Sequence, residues 1–230
     1  MTLRKFVNAR SPLRLLEKGL HGGLGIGNLG LVLAGRGVGK TPFLVGVALD
    51  EGLRGGRVLH VALDQTVAHV RAHYDAIFEA FAASKHIDDV AVTHQELDKQ
   101  RSIRAYSPGG FSAGRLREAV KFETEAGNRP TLIVLEGVDL EDFDRGELIE
   151  LKGLAEELAA EVWISVPSDT EVVGDLPKAV EAASDVVSVI LALEPGASAV
   201  KLRALKDHEN TDLSALHVSL DPQTLLLIRS

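Results

Sequence analysis

The sequence predicts an α/β protein with a mostly parallel central sheet that ends in antiparallel strands. Three observations carry this. Short apolar runs alternate with segments of helical period through most of the chain, the pattern of strands covered by helices on both faces. Towards the end, Val186–Leu193, Val200–Leu205, Leu216–Leu220 and Leu225–Ile228 follow one another with few helical segments between them. That favours antiparallel hairpins, with Glu194-Pro195-Gly196 as one turn. No tract rich in Pro, Gly or Ser divides the chain, so its 230 residues read as one domain.

The elements follow in order. Leu29–Leu33 is the first clear strand, and a helix runs from about Gly39 to Leu53. Gly55-Gly56 is a turn into a second buried strand, Arg57–Leu63. From Val67 to Ala83 the apolar residues Val70, Tyr74, Ile77, Phe78 and Phe81 share one helical face. Residues 84–102 are polar and carry no clear period. Ile103–Tyr106 reads as a short strand before the turn Ser107-Pro108-Gly109-Gly110, and Ser112 can cap a helix reaching about Ala126. Thr131–Leu135 is a buried strand, and 146–160 is a helix with Leu148, Leu151, Leu154, Ala155 and Leu158 in one stripe. Val162–Val166 is another strand, and a helix is expected near Pro177–Ala183, with its proline in the first turn.

Composition narrows the function classes. The 33 acidic against 25 basic residues give a formal net charge of −8, which argues against broad binding to nucleic acid. Without cysteine there is no disulfide, thiolate metal site or Cys nucleophile. No apolar run approaches the roughly 20 residues that span a bilayer, and the N-terminus lacks an apolar signal region. A cytoplasmic protein without membrane contact is expected.

The segment with specific chemistry is Ala34-Gly35-Arg36-Gly37-Val38-Gly39-Lys40-Thr41, which fits the Walker A pattern with Ala in its first position. Small residues let backbone N–H groups wrap a phosphate, and the following helix aims its positive end there. Lys40 reaches outer phosphates, and the Thr41 hydroxyl can ligate Mg²⁺. The pattern implies a nucleoside triphosphate, taken as ATP with Mg²⁺, held by 35–42. Pro42 falls in the first helical turn, where a missing N–H costs little, although the lost amide is one that could face phosphate.

The stretch from His21-Gly-Gly-Leu through Thr41 resembles the RecA-like ATPases, above all the KaiC and DnaB branches. Later segments follow the family's order. Arg57–Thr66 is similar to its second strand, Pro130–Glu136 to its Walker B strand, Val162–Val166 to the strand after that, and Asp185–Ile190 and Leu202–Lys206 to the terminal strands. The resemblance covers about residues 12–230 and implies one RecA-like domain over 21–230 behind an N-terminal extension of residues 1–20. It implies Glu136 as the acid orienting the Mg²⁺ shell and Asp64 as the base positioning water, alongside Lys40. The family's usual residues there are Asp and Glu respectively, so the acid is one methylene longer and the base one shorter. A shift of about 1 Å in a positioning group can cost roughly 10²-fold in rate, so slow hydrolysis is the expectation.

Such domains often assemble into rings in which a neighbour supplies a cation to the phosphates. The matching positions here are Lys206, retained, and His208 in place of an Arg. Two loops that face the lumen in DNA-threading relatives are acidic here. The first has Asp139, Glu141, Asp142 and Asp144 against Arg145, and the second has Asp169, Glu171 and Asp175 against Lys178. That argues against a helicase or recombinase and leaves a basic protein or simple solvation as the role of the acids. His69 and His73, spaced i, i+4, lack an obvious third metal ligand, and His60 in a buried strand reads as structural. Lys99, Arg101 and Arg104 form a small basic patch. The expected function is a weak Mg²⁺-dependent ATPase with the nucleotide, further copies of itself or another protein as partners. Two alternatives stay open: a nucleotide-binding regulator or scaffold without useful turnover, and a P-loop kinase for a small molecule.

Overall fold

A computed structural model describes residues 13–230 apart from His86, Asp88, Pro108, Glu141, Asp142, Glu171 and Asp175. Most of the expected N-terminal extension, and the acids Glu141, Asp142, Glu171 and Asp175, therefore lie outside the described residues. Among the described residues the fold is α/β, built on one sheet of nine strands. In chain order the elements are α1 (Leu13–Gly19), β1 (Leu29–Ala34), α2 (Lys40–Leu53), β2 (Val58–Ala62), α3 (Val67–Lys85), α4 (Val90–Gln100), β3 (Arg101–Ala105), α5 (Ala113–Glu125) and β4 (Leu132–Glu136). Then come α6 (Arg145–Leu158), β5 (Glu161–Pro167), α7 (Lys178–Ala182), β6 (Val189–Pro195), β7 (Val200–Asp207), β8 (Val218–Leu220) and β9 (Leu227–Arg229).

The strand order is β3-β2-β4-β5-β1-β6-β7-β8-β9. Pairing is parallel from β3 to β6 and antiparallel from β6 to β9. The mostly parallel sheet with an antiparallel end is the predicted one. Three runs need correcting: β6 starts at Val189 and not Val186, β8 at Val218 and not Leu216, and β9 at Leu227 and not Leu225. Strand β6 belongs to both halves, parallel to β1 and antiparallel to β7.

The central strands are wholly apolar because both faces are covered. Their side chains alternate between two cores with the period of a strand. In β1, Leu29, Leu31 and Leu33 enter the core under α5, α6 and α7, while Val32 and Ala34 enter the core under α1 to α4. In β4, Ile133 and Leu135 join the first, and Leu132 and Val134 join the second. By this parity Glu136, last in β4, shares the α2–α3 side with Val134.

The predicted stripe of α3 is buried as read, from Val70 to Phe81, and so is that of α6. Ser112 caps α5 by accepting from the Arg115 amide. The unassigned stretch contains α4, capped by Asp89 and burying only Thr93 and Leu97, too narrow a stripe to show as a period. Helix α1, inside the expected extension, sends Leu16 into the core, where Leu20 just beyond it is also buried. Among the described residues no helix is long and apolar enough to cross a membrane.

One packing feature sets α2 on the sheet. A Cβ on Gly30 would lie 2.6 Å from the Trp163 ring, so glycine there lets the indole approach β1 closely. Trp163 meets Phe43 edge to face, with centroids 5.8 Å apart, and Phe43 lies just past the start of α2. Phe43 thereby seats the first turns of α2 on the sheet through Trp163.

Candidate functional site

Parallel strands present their carboxyl ends together, and ligands of such sheets bind in the crevice beyond those ends. Here that edge gathers Ala34 of β1, Ala62 of β2, Glu136 of β4 and Pro167 of β5. The chain leaves β1 through residues 35–39 and α2 and returns as β2 with β5 and β4 lying between, so the loop opens beside a crossover.

In that Gly-rich loop the Val38 amide donates back to the Gly35 carbonyl at 3.4 Å. Gly37 has φ 77° and Gly39 has φ 122°, a region that side chains oppose. Gly39 is doubly constrained, since a Cβ there would lie 2.8 Å from Leu220 of β8. Among the described residues no side chain caps α2, so none competes for the amides of its first turn. Pro42 in that turn is half-buried. Arg36 is exposed, and Val38 packs on the core edge.

The Lys40 ammonium donates to the carbonyls of Ala34 at 2.8 Å and Gly35 at 3.0 Å. Burial lowers its pKa from the ordinary lysine value, and the negative charges of Glu136 and Asp64 oppose that drop. The fold thus brings Lys40, Glu136 and Asp64 into one electrostatic neighbourhood. Asp64 is exposed and abuts Gly137, where a Cβ would lie 2.6 Å from its carboxyl carbon. The Thr41 hydroxyl accepts from the Gln65 amide at 3.4 Å, while the Gln65 carbonyl oxygen is buried and has no partner among the described residues.

Glu136 is only 2% exposed. One of its oxygens, Oε2, meets His60 Nε2 at 2.9 Å, and His60 Nδ1 meets the Tyr74 hydroxyl at 3.0 Å. The Arg101 guanidinium lies 4.0 Å from the centre of the Tyr74 ring. The His60 side chain is structural in the sense expected, with both nitrogens engaged, but its engagement with Glu136 was not anticipated. His60 and Glu136 each follow by two residues a valine that enters the same core, and the pairing of β2 with β4 brings them together.

Thr41, Gln65, Asp64 and Glu136 supply oxygens of the kind Mg²⁺ takes, and the orphaned Gln65 oxygen beside Thr41 can accept from a water of a metal shell. They do not form a closed cage; among the described residues no group of three or more His, Asp or Glu is placed to hold a metal unaided. His69 and His73 face each other on α3 with ring centres 5.0 Å apart. Burial and the neighbouring His69 lower the pKa of His73, and Glu136 opposes them.

Lys206 and His208 are not brought to this edge. Asp207 pairs with Val189 at the amino end of β6, opposite the Gly-rich loop. Lys206 donates to the carbonyls of Ser184 and Val187. His208 contacts Asp207 at 2.9 Å and the Leu24 carbonyl at 3.0 Å, holding the turn before β1 against the end of β7. Of the acidic loops, Asp144 caps α6 and Arg145 pairs with Asp185. A cavity of about 280 Å³ lies away from the loop, at the amino ends of β4 and β5, with Glu17 and Asp50 bridged by Arg54 on its wall. No protein-family model matches the chain, and a search of curated proteins finds no match to it.

Proposed function

We propose that this chain is a RecA-like P-loop protein that binds ATP with Mg²⁺ at residues 35–42 and hydrolyses it slowly. The observation that carries the reading is the placement of Lys40, at the head of an uncapped helix behind a Gly-rich turn and on the carboxyl edge of the sheet where β4 ends in Glu136. The amides of the loop and of the first turn of α2 hold the phosphates, helped by the positive end of the helix. Lys40 exchanges its two carbonyl acceptors for phosphate oxygens, trading neutral partners for charged ones. Thr41 and Glu136 would hold the Mg²⁺ shell, with Gln65 orienting a water of that shell. Bound there, Mg²⁺ would neutralise charge on the phosphates. Asp64, exposed at the mouth of the site, positions water for in-line attack and accepts its proton.

A second reading, nucleotide binding without useful turnover, is favoured by the same geometry: Glu136 is sealed against His60, and the base is the shorter Asp. The small-molecule kinase has less support. Of the three cations of the 99–104 patch, Arg101 and Arg104 lie on edge strand β3 and pair with Asp98 and Glu123, and Lys99 is exposed in the last turn of α4. Lys206 and His208 can serve the phosphates only from a neighbouring copy. ATP hydrolysis is then expected to rise per subunit with protein concentration.

The test is steady-state phosphate release for the wild type, Lys40→Ala and Asp64→Asn. The ATPase reading expects turnover that Asp64→Asn lowers about 10²-fold or more while leaving ATP affinity near wild type. Wild-type turnover no higher than that of Lys40→Ala, with ATP still bound, selects the non-hydrolysing reading.

A further inference from the structure

We infer that His60 and Tyr74 are positioning residues for Glu136, holding its carboxylate in the one orientation that lets it serve the Mg²⁺ shell. The inference rests on the nucleotide reading above and deepens it. Glu136 has one more rotatable bond than the Asp its position resembles, and the terminal torsion of a Glu is broad. A carboxylate left to turn would seldom sit where a metal shell needs it. Here Glu136 Oε2 is fixed by His60 Nε2 at 2.9 Å, with His60 fully buried. The His60 ring is fixed in turn by the Tyr74 hydroxyl at 3.0 Å, and Arg101 covers the Tyr74 ring at 4.0 Å.

The donors and acceptors close without conflict when Tyr74 donates to Nδ1 and Nε2–H donates to the carboxylate. Burial, against the pull of Arg101, raises the pKa of the Tyr74 phenol and keeps it a donor. The register puts the two within reach of each other: His60 pairs with Val134, and Ala62 pairs with Glu136, so the side chains are diagonal neighbours on one face. The extra methylene of Glu136 and the buried imidazole thus compensate each other. Groups that orient a ligating carboxylate commonly carry about 10–100-fold in metal affinity or activity.

The test measures equilibrium ATP affinity with Mg²⁺ and with the metal chelated, for the wild type, His60→Leu, His60→Gln and Tyr74→Phe. The ratio of the two affinities is the Mg²⁺ gain and needs no turnover. The expected result is unchanged metal-free affinity throughout, a gain about 10–100-fold smaller in His60→Leu, most of the gain recovered in His60→Gln, whose amide can donate to Glu136, and a partial loss in Tyr74→Phe. A cooperatively melting His60→Leu with the full wild-type gain overturns the inference, as does a His60→Gln as deficient as His60→Leu. If His60→Leu does not fold, Tyr74→Phe decides: a partial loss supports the inference, and a full gain overturns it. A wild type that binds ATP but shows no Mg²⁺ gain overturns it while leaving the nucleotide reading standing. A wild type that binds no ATP under either condition removes both.

Discussion

Glu161 shows how one half-buried carboxylate makes stability depend on pH. It opens β5, and its Oε1 accepts from the Gly25 amide at 3.1 Å. Burial first, then the charges of Glu51 and Glu17, raise its pKa, against the Gly25 hydrogen bond and Arg54. Between the ordinary glutamate value and the raised one, the folded chain keeps a proton that the unfolded chain has released. Stability therefore falls as pH climbs through that interval, and above it the ionised side chain remains a cost. Glu161→Gln keeps an acceptor for Gly25 and removes the charge. A higher Tm is expected at neutral pH, with the gain vanishing below the ordinary glutamate range. A Tm that falls at neutral pH would contradict this. Some of the candidate site was legible residue by residue. The loop from Gly35 to Thr41 could be read from its spacing, because that chemistry is contiguous in the chain. The partnership of His60 with Glu136 could not, because it needs β2 and β4 to be neighbours, and sequence order does not show that.

At the scale of elements, hydrophobic period carried most of the assignment and failed where burial is slight. The five apolar residues of the α3 face sit as the period places them. Helix α4 escaped because an edge helix that buries two side chains leaves almost no stripe. The antiparallel end was legible as strands, but the double allegiance of β6 was not, since a strand buried on both faces reads alike in either direction. The joint between α2 and the sheet is the element contact that matters most for the site. Gly30→Ala puts a methyl into the Trp163 ring and, through Phe43, strains the seat of α2. A loss of about 1–3 kcal/mol in denaturant unfolding is expected, with the slope of the transition unchanged. A loss within about 0.5 kcal/mol would mean that the indole can shift without cost.

Across the whole molecule, one sheet separates two kinds of work. Its carboxyl edge collects Lys40, Thr41, Asp64, Gln65 and Glu136, from three separate stretches of sequence, beside the open end of a helix. Its amino edge is spent on holding the chain together, with Arg54 between Glu17 and Asp50, and with His21, His208 and Asn210 around the buried Asp207. The side-chain partners of Lys206 and His208 in this chain are structural ones, so any service to a phosphate belongs to an assembly of copies. The central claim is that the carboxyl edge holds a nucleoside triphosphate through Lys40. The measurement that bears on it most directly is equilibrium binding of Mg²⁺-ATP to the wild type and to Lys40→Ala. The account predicts saturable binding by the wild type and a loss of about 10–100-fold in Lys40→Ala, the worth of hydrogen bonds from a charged donor. Equal affinity in the two proteins, or no binding by the wild type, would contradict it.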